Sequence, residues 1–433
     1  MYKLKIWNPE DPVFWEQEGK KIANRNLWIS VPALLVSFCI WVLWSVIAVN
    51  LNSAGFTFST EELFNLVALP GLSGATLRIL YAFVVPVFGG RNWTVISTAS
   101  LLVPAIGIGY AVQDITTTYR TMMIWAILCG LGGGNFASSM GNISFFFPKK
   151  LKGTALGLNG GLGNVGVSVV QFVVPFVITF GIFGSIGGEP QLLVNGGSAK
   201  SVWLQNAAFI WIIPIVVITV AAFFGMNNLE TAKASLREQF SIFSCKHMWV
   251  MSFIYTIAVG SFIGYSAVFP LLIKLQFPGI NPLQYAFLGP LVGALSRPIG
   301  GWAADKYGGA RVSFGSIFIM SGATLGVIFF MNQHNFVAFF IMALILFVTT
   351  GAASGSTFGM SSKIFNPKEA APAIGFISAV AAYGAFFVPI AFGWSTRTTG
   401  SPAMALYGFI AFYIISLFVI HYYYSRANAE IKC

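Results

Sequence analysis

The chain has 433 residues, of which 56% are hydrophobic and only 9% are charged. A soluble domain carries about 25% charged residues, so this composition excludes a water-soluble globular protein and predicts a protein embedded in a membrane. The formal net charge of +11 does not indicate nucleic acid as a partner, because the basic residues lie in short loops between apolar runs, where they set membrane orientation.

Apolar runs follow one another along the whole chain. One crossing of a bilayer needs about 20 apolar residues, and the sequence offers twelve such runs. They lie near residues 28–50, 63–88, 93–113, 119–145, 153–182, 203–225, 247–273, 283–304, 312–331, 335–361, 371–394 and 402–424. The sequence therefore predicts an all-α membrane protein with twelve transmembrane helices.

The loops divide these spans into two groups of six. The predicted domains are a cytoplasmic N-terminal arm (1–27), an N-terminal six-helix bundle (28–225), a cytoplasmic linker (226–246), a C-terminal six-helix bundle (247–424) and a cytoplasmic tail (425–433). The arm is too polar for the apolar part of a cleaved signal peptide, since it contains Asp11 between two prolines.

Basic residues are distributed unevenly between the two sides of the membrane that this topology creates. Most loop Lys and Arg residues lie on the side that carries both termini. The opposite side has only Arg120, Lys200, Lys274 and Arg397. By the positive-inside rule, both termini are predicted to be cytoplasmic.

The two groups of spans are related by an internal repeat. Residues 72–78 and 291–297 share the pattern L-x-G-A-x-x-R, with the second copy 219 residues after the first. Residues 155–157 match 373–375 at nearly the same offset. Transporters are commonly built from two related halves around a site near the bilayer midplane, so we expect two pseudo-symmetric bundles.

Two arginines, Arg78 and Arg297, lie inside predicted spans. An arginine keeps its charge in proteins, and a charge at the bilayer centre is costly. All 13 Asp and Glu residues fall in loops, tails or span ends, so the charges must be met by backbone carbonyls, water or an anion, of which we favour the anion. Gly74 and Gly293 stand four residues before the arginines and are expected to clear space for each guanidinium.

The fifth and eighth spans carry further polar and helix-perturbing residues. Gly157, Gly160 and Asn164 recur at helical spacing and predict a face of small volume that packs on a neighbour and ends in an amide. Pro298, directly after Arg297, is expected to kink its helix or free a carbonyl. Residues 161–166 spell G-x-G-x-x-G without a preceding strand, so no dinucleotide cofactor is expected. Cysteines and histidines lack ligand spacing, and no metal site is expected.

Three segments resemble known transporters. Gly300 to Arg311 resembles the G-x-x-x-D-R/K-x-G-x-R loop of the major facilitator superfamily. Gly157 to Gly166 and, more loosely, Ala373 to Gly384 are similar to the two signatures of its nitrate/nitrite porter family. Together with the paired arginines, the resemblance covers essentially the whole chain, and it implies a major facilitator fold.

The resemblance also implies how the substrate is held. The implied substrate-binding residues are Arg78, Arg297, Tyr255, Asn164, Gly160, Phe136 and Phe38. The arginines would hold nitrate or nitrite between the two bundles, Tyr255 and Asn164 would hydrogen-bond the anion, Phe136 and Phe38 would form apolar walls, and Gly160 would line the site. The implied partners are these anions and the lipid of a bacterial inner membrane; the expected protein is a monomer.

The titratable residues bear on mechanism. No carboxylate or histidine lies in the predicted pathway, which favours exchange of nitrate for nitrite over proton symport. Two alternatives remain open within transport: a proton-coupled nitrate symporter and an exchanger of another small anion, such as an organic phosphate. A sensor is disfavoured because the loops hold no signalling domain. An enzyme is disfavoured because the spans contain no nucleophile and base pair.

Overall fold

The computed structural model describes residues 3–4, 6–195, 198–230, 244–365, 367–426 and 428–431. Within them, eleven helices are long and apolar enough to cross a membrane. A twelfth helix, Leu288–Tyr307, is equally long but less apolar, and it carries Arg297. The twelve predicted membrane helices are therefore present.

The helices are labelled in chain order. They are α1 (Pro12–Ala54), α2 (Thr60–Tyr81), α3 (Gly90–Ala111), α4 (Tyr119–Phe146), α5 (Lys150–Val177), α6 (Asn206–Gly225), α7 (Lys246–Gln276), α8 (Leu288–Tyr307), α9 (Gly309–Asn332), α10 (Phe336–Ile364), α11 (Pro367–Ala382 and Gly384–Thr399) and α12 (Ala403–Ser425). Shorter helical turns are Val84–Phe88, Gly184–Gly187 and Pro282–Gln284.

Helix α1 begins at Pro12, well before the apolar run near residues 28–50. Its start follows from local chemistry, because the Asp11 carboxylate accepts a hydrogen bond from the Val13 amide at 2.9 Å, and proline suits the first helical position. Much of the segment predicted as an arm is thus continuous with the first membrane helix.

In the described part of the chain, four short strands lie outside the membrane helices. β1 (Lys3–Leu4) pairs in parallel with β4 (Asn228–Leu229), which joins the N-terminal segment to the chain after α6. β2 (Gln191–Asn195) and β3 (Ser198–Val202) form an antiparallel hairpin between α5 and α6. Residues 231–243 of the predicted linker 226–246 lie outside the described residues.

Helices α2 and α4 pack at very short range through small residues. A Cβ added to Gly133 on α4 would lie 2.8 Å from the Cα of Gly74 on α2. At the preceding position of α2, the Ser73 hydroxyl donates a hydrogen bond to the Ile127 carbonyl at 2.7 Å. Such small-residue contacts let membrane helices approach closely.

Helices α8 and α10 repeat this arrangement in the second half. A Cβ added to Gly351 would collide with the carbonyl oxygen of Gly293, and the Ser296 hydroxyl donates to the Val348 carbonyl at 2.8 Å. Both arginine-bearing helices are thus held by the same type of contact.

The two halves meet tightly at the membrane side away from the termini, which we call the far side. There Arg397 on α11 forms an ion pair of 3.0 Å with Glu61 on α2. The Gln171 amide on α5 donates to the Ser266 carbonyl on α7 at 2.8 Å, and Lys274 on α7 bonds to the Val49 carbonyl at the far end of α1. Contacts from three helix pairs therefore close the far side.

Candidate anion-binding site

Arg78 is buried in the interior of the molecule, with 1% of its surface exposed. Its Nε donates a hydrogen bond to the Gly133 carbonyl on α4, and its Nη1 donates to the Ser378 carbonyl on α11, both at 3.1 Å. Its Nη2 is buried and has no hydrogen-bond partner among the described residues. Buried donors are nearly always satisfied, so an unpaired donor at this atom is an unusual feature of the site.

Aromatic rings contact the Arg78 guanidinium as well. Its Cζ lies 4.7 Å from the ring centroid of Phe136 on α4 and 5.1 Å from that of Trp41 on α1. Both distances fall in the range of cation–π interactions. The charge is therefore held by carbonyl dipoles and ring faces.

The described carboxylates do not neutralise either arginine. Glu16, Glu61 and Glu430 form ion pairs with basic side chains elsewhere in the described residues. None of these pairs includes Arg78 or Arg297. An arginine keeps its charge in proteins, so the two guanidiniums carry positive charges that no ion pair among the described residues neutralises.

Arg297 on α8 is held differently. It is only partly buried, and its Nη2 donates a hydrogen bond to the hydroxyl of Tyr255 at 3.0 Å. Tyr255 lies on α7 with 2% of its surface exposed, and its ring centroid is 6.3 Å from that of Phe358 on α10. Helix α8 continues through Pro298 to Tyr307, so this proline does not end the helix, and the expected kink or freed carbonyl stays a prediction.

Phe38 completes an aromatic group around Arg78. Its ring centroid lies 6.2 Å from Phe136 in an edge-on arrangement and 5.4 Å from Trp41. Phe38 is 1% exposed. The two phenylalanines that the resemblance implies as apolar walls thus contact each other, and one of them contacts the arginine.

Gly160 and Asn164 on α5 lie beside this aromatic group. A Cβ added to Gly160 would lie 3.4 Å from both Phe136 and Met140, so the bare backbone borders the ring. The Asn164 amide donates to the Gly160 carbonyl at 2.6 Å. The described contacts connect Asn164 with its own helix and not with Arg78.

Two expectations about glycines need correction. The space beside Gly74 is occupied by the indole of Trp41, and that beside Gly293 by the ring of Phe262. The prediction that these glycines make room for the guanidiniums was therefore wrong. A neighbouring helix inserts a bulky ring at each position, and in the first case that ring contacts Arg78 in turn.

The glycine face of α5 is divided between packing and open space. Gly163 and Gly166 contact α1, through Leu34 and the Leu35 backbone respectively. A Cβ at Gly157 or Gly161 would meet none of the described atoms within 4 Å. On the predicted face, Gly160 borders Phe136 and Met140 and Gly157 meets none of the described atoms, so the expected packing is found at Gly160 and not at Gly157.

Sequence reasoning missed three contributors to the site. Trp41 follows Phe38 by three positions, which places both on one helical face, so the sequence could have indicated that Trp41 lies near the site. The carbonyls of Gly133 and Ser378 carry no signal, because every residue has a carbonyl and only the fold determines which ones meet Arg78.

Sequence comparisons place the chain among membrane transporters. It matches the Major Facilitator Superfamily model over residues 27–389. It is 46% identical over 459 residues to the nitrate/nitrite transporter NarU of Escherichia coli K12, with 100% of this chain and 98% of that protein covered. It is 42% identical over 435 residues to the probable nitrate/nitrite antiporter NarK2 of Thermus thermophilus, covering 99% and 97%.

Solved structures show the same fold at low identity. A crystal structure of a D-xylose–proton symporter has a TM-score of 0.71 and 14% identity, covering 90% of this chain and 96% of that one. The inward-open xylose transporter XylE from E. coli has a TM-score of 0.69 and 14% identity, covering 92% and 95%. These likenesses confirm the predicted major facilitator fold.

Proposed function

We propose that the chain exchanges nitrate for nitrite across the bacterial inner membrane, because it belongs to the nitrate/nitrite porter family of the major facilitator superfamily. Its relatives are named as transporters, which confirms the prediction of a transporter over an enzyme. The exchange mechanism and the role of each site residue are our proposal.

The observation that carries this proposal is the unpaired Nη2 of Arg78. Nitrate is planar, singly charged and rich in acceptor oxygens, which suits the donor edge of a guanidinium. An anion bound at this edge would also lie within the positive potential of Arg297. Arg297 and the Tyr255 hydroxyl would complete its binding from the other half.

The walls of the site favour a small anion. Phe38 and Phe136 are buried and contact each other, and Gly160 borders the ring of Phe136 without a side chain. We propose that Asn164 contributes its amide to the anion during transport. A bulky organic phosphate would need these rings to separate, so nitrate and nitrite fit better.

The charges of the two arginines would make alternating access depend on a bound anion. Without an anion, Arg78 and Arg297 repel each other across the two halves, and we propose that the bound anion removes this repulsion and permits rocking. Among the described residues, no ion pair joins a carboxylate to Arg78 or Arg297, so these arginines have no paired acidic side chain that could carry a proton. This supports exchange over symport.

The structure corresponds to a state closed at the far side. On that side of Trp41 there is a cavity of about 10 Å³, with room for about one water molecule. Gly157 and Gly161 face open space on the other side of the site. With both termini cytoplasmic, as the loop charges predict, we assign this state as inward-facing. We also propose that a monomer with bundles 28–225 and 247–424 is the working unit.

Counterflow in proteoliposomes tests the proposal. Vesicles preloaded with nitrite should take up external nitrate rapidly, and vesicles without an internal anion should take up almost none. The variant Arg120→Lys, at an exposed arginine outside the site, is the matched control for the arginine variants described below. Uptake into empty vesicles that requires an inward proton gradient would instead establish symport.

A further inference from the structure

Trp41 is a buried aromatic residue next to the charge of the site. It is the last residue of the segment Lys20–Trp41 of α1, directly before an irregular turn at Val42 and Leu43. Its indole is 1% exposed and lies one helical turn beyond Phe38. Neither the resemblance nor the names of the relatives assign it a role.

Three contacts hold the Trp41 indole in one orientation. Its Nε1 donates a hydrogen bond of 2.7 Å to the carbonyl of Pro70 on α2. The ring also fills the space beside two glycines, since a Cβ added to Gly133 would lie 2.6 Å from the indole and one at Gly74 would lie closer still. The plane of the ring is thus determined by α2 and α4 together.

This fixed ring contacts the Arg78 guanidinium, with 5.1 Å from Cζ to the ring centroid. Phe136 provides a second ring at 4.7 Å, and the Gly133 carbonyl accepts from Nε at 3.1 Å. A guanidinium flanked by rings keeps its plane while its edge remains available for hydrogen bonds. The atom left available on that edge is Nη2.

We propose that Trp41 is a positioning residue for Arg78. Its ring face stabilises the buried cation and holds the guanidinium plane so that Nη2 is presented to the transported anion. This role rests on the proposed function, because the anion is the one exchanged there. If Trp41 only filled space in the protein core, its volume would be important and the electron density of its ring would have no effect on anion binding.

The first test separates ring character from bulk. The test variants are Trp41→Leu and Trp41→Phe. The control variant is Trp44→Leu, which removes another buried indole from the same helix. We expect Trp41→Leu to raise KM for nitrate by about tenfold, the scale of a desolvated cation–π contact, with the maximal rate within about twofold. Trp41→Phe should stay within about threefold, and Trp44→Leu should leave KM unchanged. Equal changes in KM for both leucine variants would overturn the proposal.

A second test preserves the shape of the side chain, so that failure to fold does not obscure the result. Tryptophan with one, two or three ring fluorines is inserted at position 41 and, as a control, at position 44. Fluorine withdraws electrons from the ring face and weakens attraction for a cation. We expect KM to rise stepwise with fluorination at position 41 only. A flat series at position 41 would overturn the positioning role.

The two proposals fail in different ways. If the unmodified protein shows no nitrate and nitrite counterflow, the proposed function is wrong. If counterflow is normal and the fluorinated series is flat, only the role of Trp41 is wrong.

Discussion

Arg78 and Arg297 occupy matching places in the sequence repeat, yet their surroundings differ. Arg78 is fully buried and bound by two carbonyls and two rings. Arg297 is partly exposed and bound by the hydroxyl of Tyr255. The repeat therefore places equal charges in the two halves, but one half holds its arginine by more contacts than the other.

The largest expected effect comes from replacing either guanidinium. Arg78→Lys and Arg297→Lys should each lower exchange by about 100-fold or more, because an ammonium cannot offer several hydrogen bonds in one plane. The measurement is nitrate counterflow at equal protein incorporation. The control Arg120→Lys should keep normal exchange. Near-normal exchange by either site variant would contradict the assignment.

The next largest effect is expected at Tyr255, whose hydroxyl bonds to Arg297. Tyr255→Phe removes the hydroxyl that accepts from Arg297 at 3.0 Å and should raise KM for nitrate by about tenfold, the order of one hydrogen bond to a charged group. The ring stays in place, so the maximal rate should change little. Tyr265→Phe, which alters a buried tyrosine hydroxyl elsewhere on α7, is the control; equal effects of both variants would argue against a role in binding.

A smaller effect, on stability, tests the rigid surroundings of Arg78. Gly133→Ala places a Cβ 2.8 Å from the Cα of Gly74, so α2 and α4 must move apart, and we expect a lower unfolding temperature in detergent. Gly157→Ala faces open space and should be neutral or raise stability by up to about 1 kcal/mol through helix propensity. Equal responses of the two variants would mean that α2 and α4 do not approach each other closely at Gly74 and Gly133.

The smallest effect concerns the far side. Glu61→Gln removes an ion pair whose side chains are 38% and 57% exposed, and exposed pairs contribute little. We expect a change of less than about threefold in exchange rate, decreasing further as salt is added. Loss of exchange comparable to that of the arginine variants would show that this pair controls closure of the far side.

Much of the fold was accessible from the sequence because the decisive patterns are local. The apolar runs predicted twelve crossings, and the pattern around Arg78 and Arg297 predicted two related halves. The position where α1 begins was less accessible, since capping by Asp11 extends the helix into a polar segment. The contacts of Gly74 and Gly293 were predicted wrongly, because a glycine indicates close approach without identifying the neighbour that approaches.

The sequence by itself determined that two permanent positive charges lie in the membrane without a nearby carboxylate, since charge and hydrophobicity belong to the residues themselves. Only the tertiary structure decided which edge of Arg78 remains unpaired. Its partners are backbone carbonyls at Gly133 and Ser378 and a ring at Trp41. Such acceptors are chemically alike along the whole chain, and helix packing alone determines which of them reach the guanidinium.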